Sequence, residues 1–112
     1  FNELMNSLTI RAERPSSELI DGLASLRLQM DSIDEQIIEL LAARMQLARS
    51  IGQFKKEHGI TILQLERWRE VVRSRSQWGT DSLLSDAFMT SLLEQVHNES
   101  IRVQTDVMNS EN

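Results

Sequence analysis

The chain has no cysteine and no tyrosine, one proline and four glycines. Without cysteine it has no disulfides, thiol nucleophiles or cysteine-held metal sites. Its aromatic side chains are three phenylalanines and two tryptophans, a poor supply for a β-sandwich but enough for a helical bundle. No apolar run approaches the roughly 20 residues of a membrane span, and no signal-peptide pattern is visible. The cytoplasm is therefore the expected location, and a membrane is not an expected partner. Positive charge is also scarce: 12 Lys and Arg stand against 17 Asp and Glu, a net charge of −5. That balance argues against nucleic acid or an anionic membrane as the main partner, so any basic site is local and set in an acidic surface.

What remains is an ordinary globular composition. With 40% hydrophobic and 26% charged residues over 112 positions, the chain suits one domain with a real core. It begins with Phe1, so a longer precursor is expected. Residues 1–17, "FNELMNSLTIRAERPSS", read as a linker or the remnant of an upstream domain, with a weak strand-like alternation in "SLTIRAE". Pro15 stops that segment, and Ser16 or Ser17 caps the first helix.

The expected architecture is all-α, a three-helix protomer whose domain spans residues 18–108, with 109–112 a frayed tail. The first helix is expected from about Ser17 to about Glu57, weakened near Gly22 and ended by Gly59 after the basic "KKEH". "GITIL" then makes a short connection. A second helix is expected over about Gln64–Gln77, with Leu65, Trp68, Val71, Val72 and Arg75 on one face and Gly79 as its stop. Ser85 is placed to cap a third, whose seam is Met89, Leu93, Val96, Ser100, Val103 and Val107.

The first helix is the informative one. Leu26, Met30, Ile33, Ile37, Leu40, Arg44, Leu47, Ile51 and Phe54 fall at alternating steps of four and three, the seam of a helix packed on other helices. From Ala24 to Glu57 it would run roughly 50 Å at ~1.5 Å per residue. A compact domain of this size is only about 35 Å across. The apolar stripe therefore needs a cover, most simply a second copy of the chain, and an intertwined homodimer is expected.

One member of the seam is an arginine. A guanidinium is costly to bury without an anion, so Arg44 is answered either by a carboxylate of the chain or by a ligand. Lys55, eleven residues on, shares its face about 16 Å along the axis, so two cationic arms can converge on a small anion. Ser100 sits on the inner face of the third helix, and Gln104 is at i+4 from it. This inward set holds hydrogen-bond donors, with no paired carboxylates and no nucleophile–histidine pair. It suits an anionic ligand and not acid–base hydrolysis. Arg27, about 25 Å before Arg44 and about 100° around the helix, cannot reach the same ligand within one chain but could do so from an antiparallel partner. Taken singly, each residue also has a plainer reading: Arg44 as a structural ion pair, Lys55 as a helix-end charge, Ser100 and Gln104 as a polar break in an interface. Asp34 reads as structural and Trp68 as packing. His58 and His97, two lone histidines, do not make a metal site.

The ordered set "LRLQMDSIDEQIIELLAARMQLARSIGQFKKEHG", then "LQLER", then "ESIRVQ", resembles the all-helical class of chorismate mutase. The resemblance covers about residues 23–104 and implies an intertwined dimer of three-helix protomers in which each site borrows an arginine from the other chain. It implies that Arg44 and the Arg27 of a second copy hold the two substrate carboxylates. Lys55 and Gln104 would hydrogen-bond the ether oxygen, and Ser100 would assist the ring carboxylate. Gln64 would lie by the ring hydroxyl, and Arg67 would support the site. Trp68 stands where many members carry a glutamate that binds the C4 hydroxyl; either that contact is missing here or Gln64 substitutes for it.

The implied reaction, chorismate to prephenate, is an intramolecular shift that needs no nucleophile, metal or cofactor. It needs orientation of a flexible dianion and stabilisation of charge on the ether oxygen. In this family, fusions join the mutase to prephenate dehydratase, prephenate dehydrogenase or DAHP synthase, and a C-terminal mutase suits the last. The competing readings are isochorismate pyruvate-lyase, which shares the fold and much of the pocket, and a catalytically silent dimerisation or regulatory module.

Overall fold

The structure is a computed structural model, and it describes residues 16–110. The linker reading of the N-terminal segment and its strand-like stretch lie outside the described residues, apart from Ser16 and Ser17. Three helices succeed one another: α1 (Ser17–His58), α2 (Leu65–Asp81) and α3 (Asp86–Met108). No strand occurs among the described residues. The chain forms two compact units, with the boundary inside α1 between Glu39 and Leu40.

The first unit holds the N-terminal part of α1. Ser16 caps it, its Oγ accepting from Leu19 N at 3.1 Å, and Glu18 adds a negative charge where the helix dipole favours one. The helix runs through Gly22 without a break, contrary to the weakening expected there. Leu26, Met30, Ile33 and Ile37, the seam residues of this unit, are all about half exposed or more.

The second unit holds the rest of α1 with α2 and α3. α1 ends as its sequence suggests. Gly59 takes φ +66°, and Ile60 N donates to Lys55 O at 2.8 Å, the long hydrogen bond of a left-handed helix stop. α2 and α3 run antiparallel: Trp68 stacks on His97, while Gly79, eleven residues later, lies under Met89, eight residues earlier. Ser85 caps α3, accepting from Phe88 N at 3.2 Å.

Two features differ from the sequence reading. Gly79 does not end α2, which continues to Asp81; a Cβ at Gly79 would lie 2.5 Å from Met89 Cγ. The glycine is there to let α3 approach. The stop falls at Leu83, which adopts φ +65° at 95% exposure while Leu84 N donates to Gly79 O at 2.9 Å. The second difference concerns the face of α1 in this unit. Its buried residues are Ala48 and Gly52, not the larger seam residues; Leu40, Leu47, Ile51 and Phe54 stay exposed. Gly52 meets α3 so closely that an added Cβ would lie 3.0 Å from Gln104 Cα. Ala48, Gly52, Val71, Gly79, Met89, Val103 and Gln104 are the buried residues of this unit.

Candidate functional site

The approach at Gly52 sets the site. With no side chain between the two backbones, Gln104 is buried beside the last turns of α1, and Lys55, three residues after Gly52, reaches it. Lys55 Nζ donates to Gln104 Oε1 at 2.9 Å, and Gln104 Nε2 donates to Ser100 Oγ at 3.1 Å. The turn after Gly59 returns the chain over the same lysine, so Nζ also donates to Ile62 O at 2.5 Å. Lys55 of α1 and the helically spaced Ser100 and Gln104 of α3 thus form one hydrogen-bonded row. Burial pulls the Lys55 pKa down from its ordinary value, because the ammonium loses water and gains only neutral acceptors.

The row edges a cavity of about 550 Å³, lined entirely by residues of the second unit. Its cations are Arg44, Lys55, Arg67 and Arg75, with His97 beside them, and among the described residues no aspartate or glutamate lines it. Arg44 keeps much of its surface in solvent, yet its pKa is lowered, first by desolvation and then by repulsion from Arg75 and Arg67. Arg44, Arg67 and Arg75 are therefore close enough to repel one another. A dianion entering the cavity would relieve the repulsion.

The other expected residues divide between the cavity and the first unit. Gln64 is the N-cap of α2 in an extended conformation, but its side chain does not cap the helix and lines the cavity instead. Arg67 lines the cavity while ion-paired to Glu70. Arg27 belongs to the first unit, is exposed, and is not among the residues that line the cavity. Among the described residues no cluster of His, Asp and Glu is arranged to hold a metal ion.

Sequence reasoning undervalues three residues of the lining. Arg75, read as one member of the α2 inner face, is a cavity cation held by Ser74 Oγ at 3.0 Å and by the face of Trp78 at 4.5 Å. Trp68 and His97, read as packing and as a lone histidine, stack with centroids 3.9 Å apart and form part of the wall. Desolvation and then Arg44 lower the His97 pKa. The signal is present in the sequence: Trp68 and Arg75 are seven residues apart, as are His97 and Gln104, a spacing that shares a helix face.

The family described as chorismate mutase type II matches residues 26–105. The 4-amino-4-deoxychorismate mutase of Streptomyces venezuelae is 27% identical over 89 residues, covering 80% of this chain and 86% of that protein. The T-protein of Enterobacter agglomerans is 28% identical over 88 residues, 79% of this chain but 24% of the T-protein, so the chain spans about a quarter of that relative's length. The chorismate mutase of Methanocaldococcus jannaschii is 39% identical over 49 residues, covering 44% of this chain and 50% of that protein.

Proposed function

Since this chain belongs to the chorismate mutase type II family, we propose that its acid-free cavity is the site in which chorismate becomes prephenate. The activity is that of an isomerase, and neither the lyase nor the silent-module reading is favoured. The observation that carries the assignment of the site is a count of hydrogens. Lys55 Nζ has three and uses two, on Ile62 O and Gln104 Oε1; the Gln104 amide has two and uses one, on Ser100 Oγ. One donor is left on each.

In this reading the two remaining donors close on the ether oxygen as its C–O bond breaks and a C–C bond forms elsewhere in the same molecule. No proton changes hands, so fixed donors and orientation do the catalysis, each worth several kcal/mol in favourable cases. Arg44 holds one carboxylate, Arg27 of a second copy the other, and Ser100 assists the ring carboxylate. Gln64 meets the ring hydroxyl, and Arg67 supports the arginine cluster. No metal or cofactor enters the scheme.

The homodimer belongs to the same proposal. Leu26, Met30, Ile33 and Ile37 are at least 49% exposed in the single chain, a run of apolar surface that monomeric proteins seldom leave in water. A second chain laid along it covers the stripe and brings Arg27 to the site. A fused upstream enzyme, of which residues 1–17 would be the remnant, stays part of the proposal. The cytoplasm remains the proposed location; among the described residues, no helix is long and apolar enough to cross a membrane.

The test is conversion of chorismate to prephenate by the purified chain, with its mass measured in solution. Turnover by a dimer supports the proposal; a monomer that leaves chorismate unchanged contradicts it. Arg27→Ala and Arg44→Ala should each abolish turnover, and mixing the two should restore one working site per mixed dimer; no recovery contradicts a site shared between chains.

A further inference from the structure

The charge in the cavity is one-sided, and that bears on which ligand it accepts. Of Arg44, Lys55, Arg67 and Arg75, only Arg67 has a carboxylate partner among the described residues. Lys55 meets two neutral amide oxygens, and Arg75 a hydroxyl and the face of Trp78. Part of the wall is the Trp68–His97 stack, which offers ring faces and no anion. In the mutase reading one ligand carboxylate offsets Arg44 and the other the Arg27 of a second copy, so Lys55 and Arg75 keep their charge. A positive group on the same ligand then meets uncompensated positive charge and, among the described lining residues, no aspartate or glutamate.

We propose that this absence makes the site selective by charge: it accepts a ring hydroxyl and rejects a ring ammonium. Chorismate is turned over, while 4-amino-4-deoxychorismate, which carries an amine in place of the hydroxyl, is excluded. The inference rests on the mutase reading of the cavity. It sets this chain apart from the Streptomyces relative named for the amino compound, despite their similarity.

The experiment compares kcat/KM for the two compounds on the wild-type chain and on three variants. Trp68→Glu and Leu63→Glu each add a carboxylate to the lining; Leu63 is 53% exposed, so its substitution spares the core. Trp68→Gln changes shape without charge. The wild type should prefer chorismate by at least ~10², the scale of one unscreened like-charge contact. Either added carboxylate should lower that preference at least ~10-fold, and Trp68→Gln should not. Should Trp68→Glu not fold, Leu63→Glu decides. Equal turnover of both compounds by the wild type, or a preference that neither carboxylate moves, overturns the inference and leaves the mutase reading standing. Turnover of neither compound overturns both.

Discussion

Lys55 Nζ lies 2.9 Å from Gln104 Oε1, across forty-nine residues of chain, and the pair is held at its two ends by Ile62 O and Ser100 Oγ. The lysine turns the glutamine so that its amide nitrogen, not its oxygen, faces the remaining partners. A neutral donor is thereby fixed beside a cationic one.

That orientation predicts the behaviour of Gln104→Glu. The introduced carboxyl donates only while protonated; once ionised, it pairs with Lys55 and presents negative charge to the developing oxyanion. Activity of the variant should therefore fall as pH rises through the pKa of the new carboxyl. The wild type, whose glutamine does not titrate, should lack this limb. Its own decline should come on the alkaline side, as Lys55 loses its proton below the ordinary lysine value of 10.5. Profiles of kcat/KM against pH check both; a flat profile for the variant would count against contact with the reacting oxygen.

Gly52→Ala tests how the row is positioned. The added methyl would press on Gln104 Cα and O at 3.0 and 3.3 Å, so backbone must move. A loss of about 1–3 kcal/mol in stability is expected, as for other overpacked contacts. A fall in kcat should accompany it, because Lys55 and Gln104 separate. Denaturant melts and turnover on the same preparation measure the two effects; a variant of unchanged stability and activity would show that the helices do not need this approach.

Much of the fold is legible in the sequence because its signals are local. Ser16, Gly59 and Ser85 mark helix ends through their own hydrogen bonds and backbone angles, and the structure uses all three. Arg44, Lys55, Ser100 and Gln104 are conspicuous because helical spacing puts polar groups among apolar ones. Gly79 misleads because glycine is the usual left-handed stop; here it serves close packing, and a leucine takes the strained position. Arg75 and His97 are easily discounted because which face of α2 meets which face of α3 depends on contacts far apart in the chain. The same holds for α1, where the small residues Ala48 and Gly52 are buried and the large ones are not.

Leu83→Gly exploits that strained position. At φ +65° and 95% exposure the leucine gains nothing from packing and bears the left-handed strain. Glycine should stabilise the fold by about 1 kcal/mol, the usual cost of a left-handed residue with a Cβ. A higher denaturant midpoint with unaltered turnover is the expected result.

His97 provides a reporter for charge in the cavity. Desolvation and the neighbouring Arg44 hold its pKa below 6.5. Between the folded value and 6.5 the unfolded chain binds more protons, so His97 stabilises the fold above 6.5, and that contribution is lost as pH falls through the folded pKa. A bound dianion should raise the imidazole pKa. An NMR titration of the ring protons, with and without a dicarboxylate ligand, measures this directly; a ligand that binds and leaves the His97 pKa unmoved would place it outside the cavity.

The most direct measurement is the kcat of Lys55→Ala on chorismate, taken beside its helicity. The mechanism predicts a fall of at least ~10² with the helices intact, since a donor to the breaking C–O bond is removed and nothing else replaces it. A folded variant that turns over chorismate at the wild-type rate would contradict the mechanism outright.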